Sequence, residues 1–204
     1  MSNLYYLEKS AAGTKEINLK TKMMDNRVLF LDGEVNRESV MELCQAMLIM
    51  AMESTAPITL VISSPGGSVS DGLALLETMH SLPCEVVTVC YGMAASMGAV
   101  LLAAGTKGKR FILRHSKTMI HEPLISNGIG GSCSSIASTS QNLIKTKELI
   151  NRLLADFCEK SIEEIDEATA YDNHLNTEES VEFGLCDRIL ENRELYTVLI
   201  GKGE

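Results

Sequence analysis

Val86-Val87-Thr88-Val89-Cys90, joined to the segment Tyr91-Gly92-Met93-Ala94-Ala95-Ser96-Met97-Gly98-Ala99, is the feature that most constrains this chain. The first run is apolar at almost every position and reads as a buried strand. Residues 96–104 read as an apolar helix stopped by Gly105. The joint between the two elements holds one serine among residues with almost no side-chain bulk. A serine there lies at a helix start, where backbone N–H groups lack internal partners and can stabilise an anion. The small neighbours allow close approach of a substrate, as in the G-x-S-x-G elbow of hydrolases, with Ala94 in place of its first glycine. On this segment alone, a tightly packed helix start is the stronger reading.

The rest of the chain extends the alternation. Residues 27–31 read as a strand closed by the turn pair Asp32-Gly33, and 57–62 as a second strand. Residues 38–52 form a helix, with Val40, Leu43, Cys44, Met47, Leu48 and Ala51 on one face. The second strand runs into Ser63-Ser64-Pro65-Gly66-Gly67-Ser68, and a helix continues to Met79. Further strands are predicted over 110–113 and 117–120, and a long helix over 141–159 with Ile144, Ile150, Leu153, Leu154 and Phe157 on its apolar side. Ser161-Ile162-Glu163-Glu164 is a capping box, and residues 177–183 form a helix ended by Gly184. Late strands are expected at 189–190 and 197–200. Residues 1 to about 26 read as a flexible polar arm around Ala11-Ala12-Gly13-Thr14. Residues 125–140, rich in glycine and serine with no helical face, read as exposed and mobile. The fold class is α/β, in one domain.

Composition narrows the partners. The chain has 204 residues and a formal net charge of −9, which argues against nucleic acid or an anionic membrane. Hydrophobic residues reach 45% while aromatics stand at 4%, so the core is aliphatic and methionine-rich. The six cysteines are widely spaced with no C-x-x-C pair, as expected of reduced core thiols in a cytoplasmic protein rather than a disulfide framework or zinc site. The N-terminus lacks the basic start and apolar core of a secretory signal. No apolar stretch is long enough to span a bilayer.

A serine nucleophile needs a base, and there are four histidines. His80 ends a helical pattern, His115 sits in the basic turn Arg114-His115-Ser116-Lys117, and His174 lies in a polar loop. His121 closes the strand Thr118-Met119-Ile120 and precedes Glu122-Pro123, well placed to reach a neighbouring strand end. From position alone, a satisfied structural histidine is as good a reading. Adjacent glycines after a strand, Gly66-Gly67, expose N–H groups that can face an oxyanion or pair with an extended peptide. On its own, such a glycine pair is better read as a plain strand-to-helix turn. Met97, next after the serine, would present a second N–H to the same point.

Four motifs occur in order: Ser64-Pro65-Gly66-Gly67-Ser68-Val69, Gly92-Met93-Ala94-Ala95-Ser96-Met97-Gly98-Ala99, Gly105-Thr106-Lys107-Gly108-Lys109-Arg110-Phe111 and Met119-Ile120-His121-Glu122-Pro123. With them the chain, from about 27 to 190, resembles the proteolytic subunit of the Clp protease, the ClpP serine peptidases. The resemblance implies the ClpP/crotonase-like fold, a spiral of ββα units with a protruding handle helix at about 124–160. Residues 27–200 would form the peptidase domain, and 1–26 an N-terminal arm or axial loop. It implies two stacked heptameric rings enclosing the active sites, and polypeptides fed by an AAA+ unfoldase. It assigns Ser96 as nucleophile, His121 as base and Asp172 as third member, with Asp187 and Asp166 as competing carboxylates. Gly67 and Met97 match the oxyanion donors. Ser68, Val69, Leu124 and Ile125 would bind extended substrate as an added strand. No cofactor or metal is implied.

The chain departs from the family at several positions. Tyr171 stands where the family carries an arginine, and Ala137 falls where its acidic partner lies, so both ends of a ring-to-ring ion pair are missing. Thr59 and Val61 replace tyrosines of the unfoldase pocket, and Glu122 replaces a glutamine. These motivate an alternative role as a variant, weakly active structural subunit of a mixed double ring. A crotonase-type acyl-CoA enzyme fits less well, given the Ser96, His121 and Asp172 set.

Overall fold

A seven-stranded sheet organises the computed structural model, which describes residues 5–10, 13–125, 128, 130–191 and 193–200. Strands β1 (Tyr5–Ser10) and β2 (Gly13–Asn18) form a separate antiparallel hairpin, succeeded by a short helix, α1 (Leu19–Met24). Then come β3 (Val28–Asp32), α2 (Arg37–Glu53), β4 (Ile58–Ser64), α3 (Val69–Ser81), β5 (Val86–Ala95), α4 (Met97–Ala103) and β6 (Arg110–Leu113). The chain continues through β7 (Lys117–Ile120), α5 (Cys133–Cys158), α6 (Ile162–Thr169), β8 (Asn173–Leu175), α7 (Thr177–Phe183), β9 (Arg188–Leu190) and α8 (Glu194–Ile200). The expected α/β class holds: β3, β4, β5, β6 and β9 are neighbours in that order, all parallel.

Strand β5 is the hub. Its first half, Thr88–Cys90, pairs with β6, and its second half, Met93–Ala95, pairs with β7. The switch falls at Tyr91-Gly92, where Gly92 takes a φ of 82° and its N–H donates to Ser116 Oγ at 2.8 Å. The strand therefore runs five residues past its apolar stretch, on small residues that permit the change of partner. Helix α4 begins one residue later and is buried along its whole length, as its composition demands. It packs with α2, α3 and α5 in the main core, where each buried aliphatic side chain contributes about 1.5–3 kcal/mol. A smaller cluster of Val87, Val89, Phe111 and Leu190 packs with Leu195 and Val198 of α8.

Four expectations are corrected. The N-terminal arm is a paired hairpin and helix rather than free chain: Lys22 of α1 binds Glu8 of β1 at 2.8 Å, and Asn18 caps α1. Ala11 and Ala12 lie outside the described residues. Of the segment expected to be irregular, 133–140 is the start of α5, with Ser132 as N-cap accepting from Ser135 N–H at 3.2 Å; residues 126, 127 and 129 lie outside the described set. These turns are exposed on nearly every side, so they carry no apolar face to recognise. Residues 197–200 belong to helix α8, because Leu195 and Val198 share the inward face at helical spacing. Asn173 and His174, expected within the polar loop 172–174, instead belong to β8 against β7. Among the described residues no helix is long and apolar enough to cross a membrane.

Candidate active site

Ser96 is the single residue between β5 and α4. Its backbone holds φ 53° and ψ −123°, a strained conformation for any residue but glycine. The core on either side imposes it: Ala94 and Ala95 are buried in β5, and Met97 to Ala103 are buried in α4. Ser96 N–H donates to Met119 O at 2.8 Å, anchoring the turn to β7. A serine at a helix start usually spends its hydroxyl on a first-turn N–H. Here it makes no such bond, and Oγ lies 2.9 Å from His121 Nε2.

His121 comes directly after β7, and its side chain is 13% exposed. The β7–β8 register pairs Thr118 with Leu175, Met119 with His174 and Ile120 with Asn173. The next pair in that sequence is His121 with Asp172. Accordingly Asp172 Oδ1 is 3.9 Å from His121 Nδ1, within ion-pair range but beyond a hydrogen bond. The Asp172 side chain is 65% exposed. Ser96 and His121 are thus brought together, and Asp172 stands beside them at one step's remove.

The competing carboxylates are occupied elsewhere. Asp187 grips Arg110, a fully buried guanidinium, with Arg110 Nη2 at 2.6 Å and Nε at 3.1 Å. Burial opposes the Asp187 charge, but its hydrogen bonds to Arg110 prevail and hold the carboxyl below its ordinary pKa. Asp166 accepts from Asn151 and sits 3.9 Å from Lys147. Glu122 turns away from the imidazole as well, to Lys147 at 2.9 Å, and this bond raises the lysine's pKa. The other histidines are remote in role: His80 Nε2 meets Ala104 O at 3.0 Å, and His174 lies in β8.

Gly66 and Gly67 adopt φ values of 93° and 147°. A Cβ on Gly66 would fall 2.6 Å from Ser96 Cβ and 3.0 Å from Met97 N, and one on Gly67 would fall 2.3 Å from Val35 O. The glycine pair is what lets this loop lie against the serine. Val35 N–H donates to Gly66 O and Ser68 N–H to Val35 O, leaving Gly67 N–H out of that bridge. Met97 N–H, at the first position of α4, has no carbonyl of its own helix to reach.

Ser68 caps α3, accepting from Asp71 N–H at 3.3 Å, and Val69 opens that helix. Leu124 and Ile125 follow His121 by a few residues in the chain, Leu124 largely exposed. A recess beside Ser96 and His121 is lined by Val69, Met97, Val100, Pro123, Ile150 and Leu154. Ile150 and Leu154 belong to α5; their helical spacing marks them as a buried face, but nothing in the sequence says what that face meets. A larger cavity between α1, β3 and α2 joins no such serine–histidine pair.

The sequence profile of the family described as Clp protease matches residues 11–193. The chain is 39% identical over 189 residues to the ATP-dependent Clp protease proteolytic subunit of Ligilactobacillus salivarius (strain UCC118), covering 92% of this chain and 95% of that relative. The chain belongs to the Clp protease family. Another member, ATP-dependent Clp protease proteolytic subunit 3 of Synechococcus sp. (strain CC9605), is 44% identical over 181 residues, 86% of this chain and 88% of its own. The positions expected to depart from the family pattern fall in two environments. Thr59 and Val61 are buried in β4. Ala137 is exposed on the first turns of α5, and Tyr171 is 86% exposed immediately before Asp172.

Proposed function

We propose that the chain is a serine endopeptidase, the proteolytic core subunit of an ATP-dependent Clp complex in the cytoplasm. Ser96 is the nucleophile, His121 the general base, and Asp172 the orienting carboxylate. The observation that carries this reading is the 2.9 Å approach of His121 Nε2 to a serine hydroxyl that does no capping. His121 takes the Ser96 proton as Oγ bonds to the peptide carbonyl carbon, and the oxyanion rests on the N–H groups of Gly67 and Met97. The imidazolium then returns the proton to the leaving amine. Water attacks the acyl-enzyme by the same route in reverse. Extended substrate adds as a strand along Ser68 and Val69 on one side and Leu124 and Ile125 on the other.

Residues 27–200 form the peptidase domain, 124–160 its handle and 1–26 an axial arm, in stacked heptameric rings supplied by an AAA+ unfoldase. Peptide hydrolysis itself uses no nucleotide, so short peptides test the chemistry without the unfoldase. A serine-reactive phosphonate should label the full chain once, at Ser96, and Ser96→Ala should lose both labelling and hydrolysis. Absence of labelling in the wild type, alone and mixed with a second Clp subunit, rejects the reading. A second role, as a weakly active structural subunit of a mixed double ring, is favoured by one observation: the 3.9 Å gap between His121 and an exposed Asp172.

A further inference from the structure

The two faces of the sheet are covered unequally. On β5, β6 and β9, Cys90, Ile112 and Ile189 join the main core, which α2, α3, α4 and α5 build. Their strand neighbours Val89, Phe111 and Leu190 point to the opposite face, where Val87 joins them. The register sets Val89 beside Phe111, and Leu113 beside Leu190, so the cluster is continuous across three strands. Strands of a parallel sheet need cover on both faces. Among the described residues, the one helix packed on this second cluster is α8, through Leu195 and Val198.

That cover is lightly held. No residue of α8 is buried, and Tyr196 is largely exposed. Its other tie is Glu194, whose carboxylate accepts from Arg188 Nη1 at 3.0 Å, an ion pair open to solvent that adds little. Two clefts adjoin the helix, one lined by Thr59, Phe111, Val198 and Ile200 among others, the second by Tyr91, Leu113 and Leu195. The apolar face therefore reaches beyond its cover. An element with so few buried contacts opens locally far more readily than the core. When α8 lifts, Val87, Val89, Phe111 and Leu190 are uncovered together, beside an Arg188 guanidinium that already lies 4.9 Å from the Phe111 ring centroid. What fits there is what α8 offers: apolar side chains three positions apart, behind an acidic residue that meets Arg188. We propose that this face docks an apolar, acid-led helical segment of a partner protein, and that α8 is its built-in competitor. The partner's apparent affinity is the intrinsic affinity reduced by the fraction of molecules whose α8 is off the sheet. Neither Ser96 nor His121 enters the argument, so it stands apart from the peptidase reading.

The test titrates the purified full chain with a fluorescent peptide of residues 193–200, which carries the α8 pattern in trans. The double variant L195S/V198S removes the two side chains that seat α8 and should bind this peptide about tenfold or more tightly than wild type, as expected when the open state is a minor one. A peptide with serine at the positions of Leu195 and Val198 should not bind either protein. If the double variant does not fold, by circular dichroism, Glu194→Ala loosens α8 without touching the sheet and should raise the affinity in the same direction, by less. Equal affinity of wild type and folded variant overturns the competition. No binding by either overturns the docking surface, and binding of the serine peptide overturns the apolar recognition. Loss of wild-type assembly in the folded variant, by native mass, assigns the face to a second copy of this chain and overturns the partner reading. Phosphonate labelling of Ser96, followed in the same samples, reports on the peptidase reading independently of all these outcomes.

Discussion

Two regions meet at the His121 ring and are built by opposite means. On the Nε2 side, Ser96 is clamped between β5 and the wholly buried α4, pinned to β7 through Met119 O, and pressed by the glycine loop. On the Nδ1 side, Asp172 hangs at the edge of the three-residue strand β8, mostly in solvent, next to an exposed Tyr171. The core of a single chain suffices to fix the Ser96 hydroxyl against the His121 imidazole. The contact between Asp172 and the other ring nitrogen is left to the surface, where a neighbouring molecule or a change of solvent can alter it.

Substitution of Ser96 strikes the rigid side directly, with the largest expected effect. Ser96→Ala should lower kcat/KM on a short peptide by about 10⁴–10⁶-fold, since loss of a triad serine removes the acyl-enzyme route. The hydroxyl makes one side-chain hydrogen bond, so thermal unfolding should shift little. A large drop in melting temperature would mean that Ser96 serves the fold as much as the chemistry.

A second carboxylate sharpens the contrast. Asp187 is partly shielded beside the buried Arg110, where Asp172 is open. Asp187→Asn leaves a buried guanidinium without its counter-charge and should cost about 3 kcal/mol in unfolding free energy, measured by urea denaturation. Because the folded-state pKa of Asp187 lies below its ordinary value, the unfolded chain takes up that proton first as pH falls. The stabilisation is therefore complete above about pH 5 and shrinks below it. The gap between wild type and variant should narrow on acidification towards about pH 2. A gap that stays constant would show that packing, not charge, holds this contact.

How far the sequence foretells these regions obeys the same division. The nucleophile's surroundings are local: an apolar strand, a serine among small residues and an apolar helix lie within about twenty residues and announce a buried joint. The parts that depend on distant pairing are not legible. Strand β8 is three polar or isolated residues with no periodicity, and only its register with β7 brings Asp172 opposite His121; family resemblance alone pointed to it. The recess walls Ile150 and Leu154 read as a core face, with no sign that the core ends at Ser96. The start of α5 escapes because its serine and threonine side chains, including Thr139 bonded to Ser135 O, support first turns that have no buried side.

The glycine loop gives a test of intermediate size. Gly66→Ala introduces a Cβ 2.6 Å from Ser96 Cβ at a φ of 93°, so either the loop or the serine must move. Displacing a reacting atom by about 1 Å costs on the order of 10²-fold. Hydrolysis should fall by about that factor, with phosphonate labelling falling in parallel. Full activity would show that the loop can retreat, and that the close packing on the Nε2 side is not what holds Ser96.

The smallest effect is expected on the open side. In an aligned triad, exchanging the aspartate for asparagine lowers kcat by about 10⁴-fold, because the wrong imidazole tautomer is stabilised. That penalty requires a hydrogen bond to Nδ1, and here Oδ1 lies at 3.9 Å with the carboxylate in water. Asp172→Asn should therefore cost only about tenfold in the isolated subunit, by attenuated Coulombic support of the imidazolium at that distance. Added salt should shrink the difference between wild type and variant, as it does for any exposed charge. Were the carboxylate to close on Nδ1 with water excluded, the same substitution should approach the penalty of about 10⁴-fold. A loss of about 10⁴-fold in the isolated subunit at every salt concentration would erase the asymmetry, making Asp172 as firmly held as Ser96.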